Sequence, residues 1–102
     1  MNKYDNQDHL NLLRQIKKKP SSSQRELAEE LGFSLGKLNY CLKALKKKGF
    51  LKIESFSKNP NKINYLYVLT PKGMTEKATL TINFMKRKME EYDELKKEAE
   101  ER

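Results

Sequence analysis

The sequence predicts a mainly α-helical protein with one small β-hairpin, and three observations support this fold class. Three short amphipathic segments with helix start and stop signals occupy the first half of the chain. Two segments rich in β-branched and aromatic residues, 50–57 and 63–69, follow them and flank a turn. A helical pattern without a break then runs from Thr70 to the end.

Composition limits the classes of protein to consider. The chain has 102 residues, of which 36% are hydrophobic, so it fits one domain with a small core and argues against a large enzyme with a deep pocket. Cys41 and His9 are the only residues of their types, which excludes an intrachain disulfide and a Cys/His metal cage within one subunit. We therefore expect no metal and no cofactor. Without an apolar run of membrane-spanning length or a signal peptide, we expect a cytoplasmic protein and no membrane partner.

The charge is concentrated in the middle of the chain. Residues 35–72 contain nine lysines and one acid, Glu54, a balance of +8 that equals the net charge of the whole chain. From residue 90 to the end the balance reverses to −4. The middle of the chain should attract a polyanion, and the end should repel it.

The first two predicted helices are short. Asp5 can cap the first, which has Leu10, Leu13 and Ile16 on its apolar side and is closed by Pro20. We expect His9 on its surface. Ser23 and Glu26 match a capping box that begins the second helix, and the helix ends at Gly32.

The third predicted helix begins after Ser34, runs toward Lys48 and ends at Gly49. Leu35, Leu38, Leu42 and Leu45 form a single stripe that we expect to be buried, with Cys41 as a small packed thiol beside it. A short helix, a glycine-containing turn and a longer helix over 23–48 are typical of a helix-turn-helix.

The hairpin extends this prediction. Its tip, 58–62, is basic and turn-forming. A helix-turn-helix followed at once by a basic hairpin is the order of elements in a winged helix domain. We therefore predict a winged helix-turn-helix domain over residues 1–70, with residues 50–69 as the wing.

The last segment, 71–102, is predicted as one long helix, with Thr70 as N-cap and Pro71 in its first turn. Apolar residues follow a heptad through Lys96 to Ala99, and the proposed dimerisation residues are Ala78, Ile82, Met85, Met89 and Tyr92. A homodimer with a coiled coil would cover this seam. In the alternative, the first half packs on the domain and the acidic end stays solvated.

The outer side of the third helix has side chains suited to double-stranded DNA. Asn39 can pair with adenine, Lys37 and Lys43 can reach guanine or phosphate, and Tyr40 can contact a thymine methyl group or a phosphate. Ser34 can hold a phosphate oxygen at the helix start. Together with the wing tip, the candidate DNA-binding residues are Ser34, Gly36, Lys37, Asn39, Tyr40, Lys43, Lys58, Asn59 and Lys62.

Gly36 indicates that something approaches the helix closely, because an interior glycine costs ~1 kcal/mol relative to alanine. A phosphate or base edge and close packing against the second helix both remain open. No acid, base or nucleophile constellation suggests catalysis, so we do not expect an enzyme.

Several segments resemble the MarR superfamily of winged helix regulators. They are SQRELAEELG at 23–32, SLGKLNYCLKAL at 34–45, KGFLK at 48–52 and LTPKG at 69–73. The third-helix segment, together with KRKMEEY at 86–92, is most similar to the short MarR-type regulators associated with exopolysaccharide (EPS) gene clusters in bacteria.

The resemblance implies a homodimer on a pseudo-palindromic operator, with the third helix in the major groove and the wing beside it. Ordinary MarR proteins have an additional helix before the winged domain and more helices after it, which form the dimerisation region and often a ligand pocket. Because this sequence departs from that plan, no phenolic-ligand or oxidant response is carried over, and any small-molecule effector is unknown.

The leading hypothesis is therefore a sequence-specific, dimeric transcriptional regulator. One alternative is a protein-interaction module without specific DNA binding, and another is a nonspecific nucleic-acid binder. The operator, the target genes and the sign of regulation do not follow from the sequence.

Overall fold

A computed structural model describes residues 5–59 and 62–101, with the backbone alone for 56–59 and 62–64. The elements in chain order are α1 (Asn6–Lys18), α2 (Gln24–Leu31), α3 (Leu35–Lys47), β1 (Leu51–Asn59), β2 (Lys62–Leu69) and α4 (Pro71–Glu100). The predicted fold class is confirmed: three helices, an antiparallel hairpin and one long helix. In the part of the chain that is described, no helix has the length and apolar character needed to cross a membrane.

Polar side chains fix where each helix begins. The N-caps are the four predicted ones, Asp5, Ser23, Ser34 and Thr70, and each accepts a hydrogen bond from the backbone N–H three residues later. The hydroxyl of Ser23 also donates to the carboxylate of Glu26. These contacts are local in sequence, which is why the helix starts could be predicted.

Helix α1 lies at the centre of the core because it packs against α2, α3, α4 and β2. Its buried leucines include Leu12, which the predicted stripe omitted. Helix α3 contributes Leu38, Cys41, Leu42 and Leu45, which are all buried. The prediction was wrong for Leu35, whose side chain is 49% exposed. Leu35 is the first residue of α3 and lies about 70° from the middle of the buried side, at 100° per residue.

His9 corrects a second prediction, because its side chain is buried rather than on the surface. It precedes Leu12, Leu13 and Ile16 by three, four and seven residues, so helical periodicity places it on the inner side of α1. Its Nε2 atom has no hydrogen-bond partner among the residues that the structure describes. Burial lowers the pKa of the imidazole, and the charge of Lys48 lowers it further.

The hairpin pairs Leu51 with Leu69 at its base and Asn59 with Lys62 at its tip, with an irregularity between Phe56 and Asn59. The strands therefore extend into the segment predicted as the turn, of which Pro60 and Asn61 lie outside the described residues. The backbone N–H of Tyr67 donates to the carbonyl of Pro20. This bond ties the wing to the connection between α1 and α2.

Helix α4 is joined to the rest of the domain by a backbone contact at its start. A Cβ added to Gly73 would overlap the carbonyl oxygen of Phe50. The same carbonyl accepts the N–H of Thr70, while the Thr70 hydroxyl donates to the carbonyl of Gly49. Only glycine lets the helix approach this closely, so Gly73 fixes the direction in which α4 leaves the domain.

The two halves of α4 differ in their packing. Leu80 is buried and Phe84 packs against the core, whereas every described residue from Met85 onward is exposed. With 30 residues, α4 is about 45 Å long. The longest dimension of the molecule is accordingly 67 Å.

We predict that Gly73→Ala lowers the free energy of unfolding by ~2–4 kcal/mol, because the new methyl group would overlap a backbone carbonyl that two elements hold in place. Urea denaturation measures the change. Gly36→Ala is the matched control, since its Cβ would meet no atom within 4 Å and should raise stability by ~1 kcal/mol. Equal effects of the two substitutions would contradict the contact.

We also predict that stability falls as the pH drops below 6.5, the ordinary pKa of histidine. The folded chain binds the His9 proton more weakly than the unfolded chain, so protonation favours unfolding. The lowered pKa is the net result of burial and Lys48 against the opposing charges of Asp8, Asp5 and Glu76. Unfolding free energies measured between pH 8 and 5.5 should decline less for His9→Gln, and parallel curves for both proteins would refute this.

Candidate nucleic-acid interface

The outer side of α3 forms one continuous strip, which we call the α3 strip: Gly36, Asn39, Tyr40, Lys43 and Lys47. All five residues are exposed. Their spacing of three, one, three and four residues places them about 180° around the helix from the buried residues. Packing of Leu38, Leu42 and Leu45 into the core therefore orients the strip outward.

The first turn of α3 adds a positive end to this strip. Ser34 is exposed and accepts a hydrogen bond from the N–H of Lys37 at 3.1 Å. The start of a helix carries the positive end of its dipole, which favours anions. Ser34 therefore has the position that phosphate binding requires.

The backbone at Gly36 faces open space on the outer side of α3. An added Cβ would meet no atom within 4 Å, so close packing against α2, one of the two readings of this glycine, is wrong. Room beside the backbone at Gly36 would let a phosphate or base edge approach. That use of the space remains a prediction.

Lys37 lies at the side of α3, toward α1. Its Nζ atom is 3.2 Å from Oδ1 of Asp8 and 4.3 Å from the centre of the Phe33 ring. The side chain therefore contacts Asp8 and Phe33, and its position is about 100° around the helix from Gly36. The pair with Asp8 could not be predicted from sequence, because the two residues are far apart in the chain.

The C-terminal end of the α3 strip is strongly basic. A surface hollow of about 610 Å³ is lined by Tyr40, Lys43, Ala44, Lys47 and Lys48. Lys47 was not among the predicted site residues, although it follows Lys43 by four residues and so continues the strip. Such a hollow, with lysines along its edge, can accept a phosphate group.

Cys41 lies on the opposite side of α3 from the strip and is fully buried, as expected for a packed thiol. Burial raises the pKa of this thiol, and the charge of Asp8 raises it further. Among the residues that the structure describes, no group of three or more histidine, cysteine or acidic side chains is placed to hold a metal ion.

The predicted wing residues lie at the end of the hairpin that is remote from the core. Asn59 pairs with Lys62 across the two strands, and Lys58 precedes them in β1. Only the backbone is described at these three positions. Their side chains lie outside the described part, so their contacts with DNA remain predicted.

The predicted dimerisation residues form an exposed strip on α4, which we call the α4 strip: Ala78, Ile82, Met85, Met89 and Tyr92. The four large side chains are 52–66% exposed. They lie about 140° around the helix from Leu80 and Phe84, which pack on the core. Leu95, which is not one of the predicted dimerisation residues, is exposed as well.

Comparison with known proteins agrees with this geometry. Residues 8–52 match the family model described as winged helix-turn-helix DNA-binding. The matched segment includes α2, α3 and all of α1 except its first two residues. No curated protein matches the chain significantly.

Solved structures share the fold over most of the chain. The structure of a MarR family transcription regulator superposes on 85% of this chain, and the match covers 56% of the regulator's own chain, with a TM-score of 0.66 and 16% sequence identity. Staphylococcus aureus MarR, in complex with salicylate and kanamycin, matches 84% and 56%, with a TM-score of 0.63 and 19% identity. Streptococcus pneumoniae FabT, in complex with DNA, matches 84% and 58%, with a TM-score of 0.58 and 22% identity.

At these identities the likeness shows the fold, which is the winged helix fold of MarR regulators. The chain spans 56–58% of the length of these three structures.

We predict that Asp8→Asn strengthens binding to duplex DNA several-fold, an effect of ~1 kcal/mol or less, because it removes the carboxylate that holds Lys37. Fluorescence anisotropy with a labelled duplex measures the change. Glu91→Gln is the matched control, since it removes a carboxylate paired at the same 3.2 Å with Lys88 on α4. An equal gain from both variants would show that net charge alone is responsible.

Proposed function

We propose that this protein is a MarR-type transcriptional regulator that binds double-stranded DNA sequence-specifically as a homodimer. The observation that carries the proposal is the α3 strip, an outward helix surface with an amide, a phenol and lysines on a winged helix-turn-helix domain. A major groove accepts one α-helix, and these side chains have the donors and acceptors that base edges require.

Each residue of the strip has a role in this proposal. Asn39 pairs with an adenine, and Lys43 reaches a guanine or a phosphate. Tyr40 contacts a thymine methyl group or a phosphate, and Gly36 leaves room for the DNA to approach. Ser34 and Lys37 hold phosphates at the start of α3, and Lys47 holds one at its end.

The wing adds contacts that do not depend on sequence. Lys58, Asn59 and Lys62 would meet the phosphate backbone or the minor groove beside the helix. Lysine–phosphate contacts release counterions, so binding should weaken steeply as salt rises.

A second copy of this chain is the proposed cover for the α4 strip. The strip exposes four large apolar side chains that the domain itself does not bury. Two copies related by a two-fold axis would read an inverted repeat, with half-sites about 10 bp apart or a multiple of this. The sequence resemblance adds exopolysaccharide genes as the proposed targets. Salicylate is bound in the S. aureus structure, and this ligand is not carried over to the present chain.

Selection of duplexes from a random pool at near-physiological salt tests the proposal without a guess about target genes. Enrichment of an inverted repeat is the expected result. A folded protein that enriches no sequence would overturn specific binding and favour a protein-interaction module or a nonspecific binder. An enriched site without two-fold symmetry would contradict the homodimer.

We predict that Asn39→Ala lowers discrimination at one base pair of the selected site by ~1–3 kcal/mol, the range for a good bidentate contact. Competition between the selected duplex and single-base variants measures this. Unchanged discrimination at every position would remove Asn39 from the base-reading set.

The double substitution Lys58→Ala and Lys62→Ala is the contrasting control. It should weaken binding to all duplexes alike and reduce the slope of log K against log salt, because it removes phosphate contacts. A loss confined to one sequence would mean that the wing reads bases.

A further inference from the structure

The charges of the chain follow its architecture. Residues 1–70 carry all of the net charge of +8, so residues 71–102, which contain α4, sum to zero. Within those residues, however, the charge is divided. Residues 71–88 contain five basic residues and one acid, a net charge of +4, and residues 89–102 contain seven acids and three basic residues, a net charge of −4.

This division bears on how two copies of α4 can pair. From Met85 onward, every described residue of α4 is exposed, and the α4 strip runs across the boundary between the basic and acidic halves. Packed helices lie 8–10 Å apart, about one Debye length at physiological salt. Charges on one helix are therefore felt by the other.

A parallel pair would place like charges together. Both winged domains, each with a charge of +8, would lie at one end, and both acidic halves would lie side by side at the other. An antiparallel pair would set each acidic half along the basic half of the other copy, and it would move the winged domains to opposite ends.

We propose that two copies of this chain pair through the α4 strip with their α4 helices antiparallel, an inference that rests on the homodimer proposed above. A second copy fits the α4 strip because its acidic half would complement the basic half of the first copy, and the reverse. With the two-fold axis between residues 90 and 91, Met89 is level with the partner's Tyr92, and Ile82 is level with the partner's Ala99.

The same register pairs opposite charges beside the strip. Lys86 and Asp93 lie on one side of the α4 strip, seven residues apart, and this register sets Lys86 beside the partner's Asp93. A register centred on Arg87 would instead bring Lys86, Arg87 and Lys88 against the same residues of the other copy. Charge therefore favours the register centred between residues 90 and 91.

Disulfide cross-linking in the full chain tests the orientation. Because Cys41 is fully buried, an engineered surface cysteine is the thiol that reacts. Ala99→Cys should not cross-link to itself, but it should cross-link to Ile82→Cys when tagged and untagged chains are mixed under mild oxidation. Glu94→Cys, on the opposite side of α4, is the control and should give no cross-link with either.

A self-cross-link through Ala99→Cys would show parallel helices and overturn the proposal. A cross-link between Ile82→Cys and Tyr92→Cys would support the antiparallel orientation and overturn the register between residues 90 and 91. A chain that sediments as a monomer and forms no cross-link would overturn both the homodimer and its orientation.

Charge reversal gives an independent test, since its sign depends on orientation. Asp93→Lys with Glu100→Lys, both beside the α4 strip, neutralises the acidic half, so it should weaken an antiparallel dimer roughly fivefold or more and strengthen a parallel one. Sedimentation equilibrium measures the dimer dissociation constant. Glu29→Lys with Glu30→Lys, on α2, changes the net charge equally and serves as the matched control.

These outcomes separate the orientation from the proposed function. A parallel dimer that still selects an inverted repeat would overturn the orientation alone. An unmodified protein that enriches no sequence would instead overturn the proposed function, whatever the helix orientation.

Discussion

The contact between Gly73 and the carbonyl of Phe50 is the constraint on which the arrangement of the molecule depends. Phe50 follows α3 after a two-residue turn, and the same carbonyl accepts the N–H of Thr70. One peptide group thus joins the end of α3, the base of the hairpin and the start of α4. The direction of α4 is therefore set relative to α3 by backbone atoms, which vary less in position than long side chains do.

A small chain has few apolar residues, and this fold divides them between the buried core and the exposed strip of α4. Helix α1 lies in the middle with its leucines buried, so α2, α3, α4 and the wing can each pack on it and keep one side outside. That leaves the lysine-rich side of α3 and the apolar strip of α4 exposed. The ion pair between Lys37 and Asp8 lies at the border between the core and the α3 surface, where only part of each side chain is accessible.

Sequence reasoning succeeded where the cause is local. The helix starts follow from a capping residue and the N–H three residues later. Helical spacing placed Gly36, Asn39, Tyr40 and Lys43 correctly on one exposed surface, but the inclusion of Lys37 there was wrong, because its side chain is half-buried beside Asp8. It failed where the cause lies elsewhere in the chain. In the sequence, the LTPKG segment is only a family pattern. The structure supplies the physical reason for its glycine, since Gly73 lies against the backbone of Phe50. His9 and Lys47 are different cases. Helical spacing in the sequence already indicates the buried side of α1 for His9 and the outer side of α3 for Lys47.

The separation between the α3 and α4 surfaces has a consequence for evolution. The residues of the α4 strip are exposed and lie on a different helix from the α3 strip, so under the proposed function substitutions there would change which chains associate and leave the recognised bases unaltered. After a gene duplication, two descendants could lose the ability to mix subunits through a few changes on α4 while both still recognise the ancestral site. Under that proposal, operator choice and subunit choice could diverge independently in this architecture.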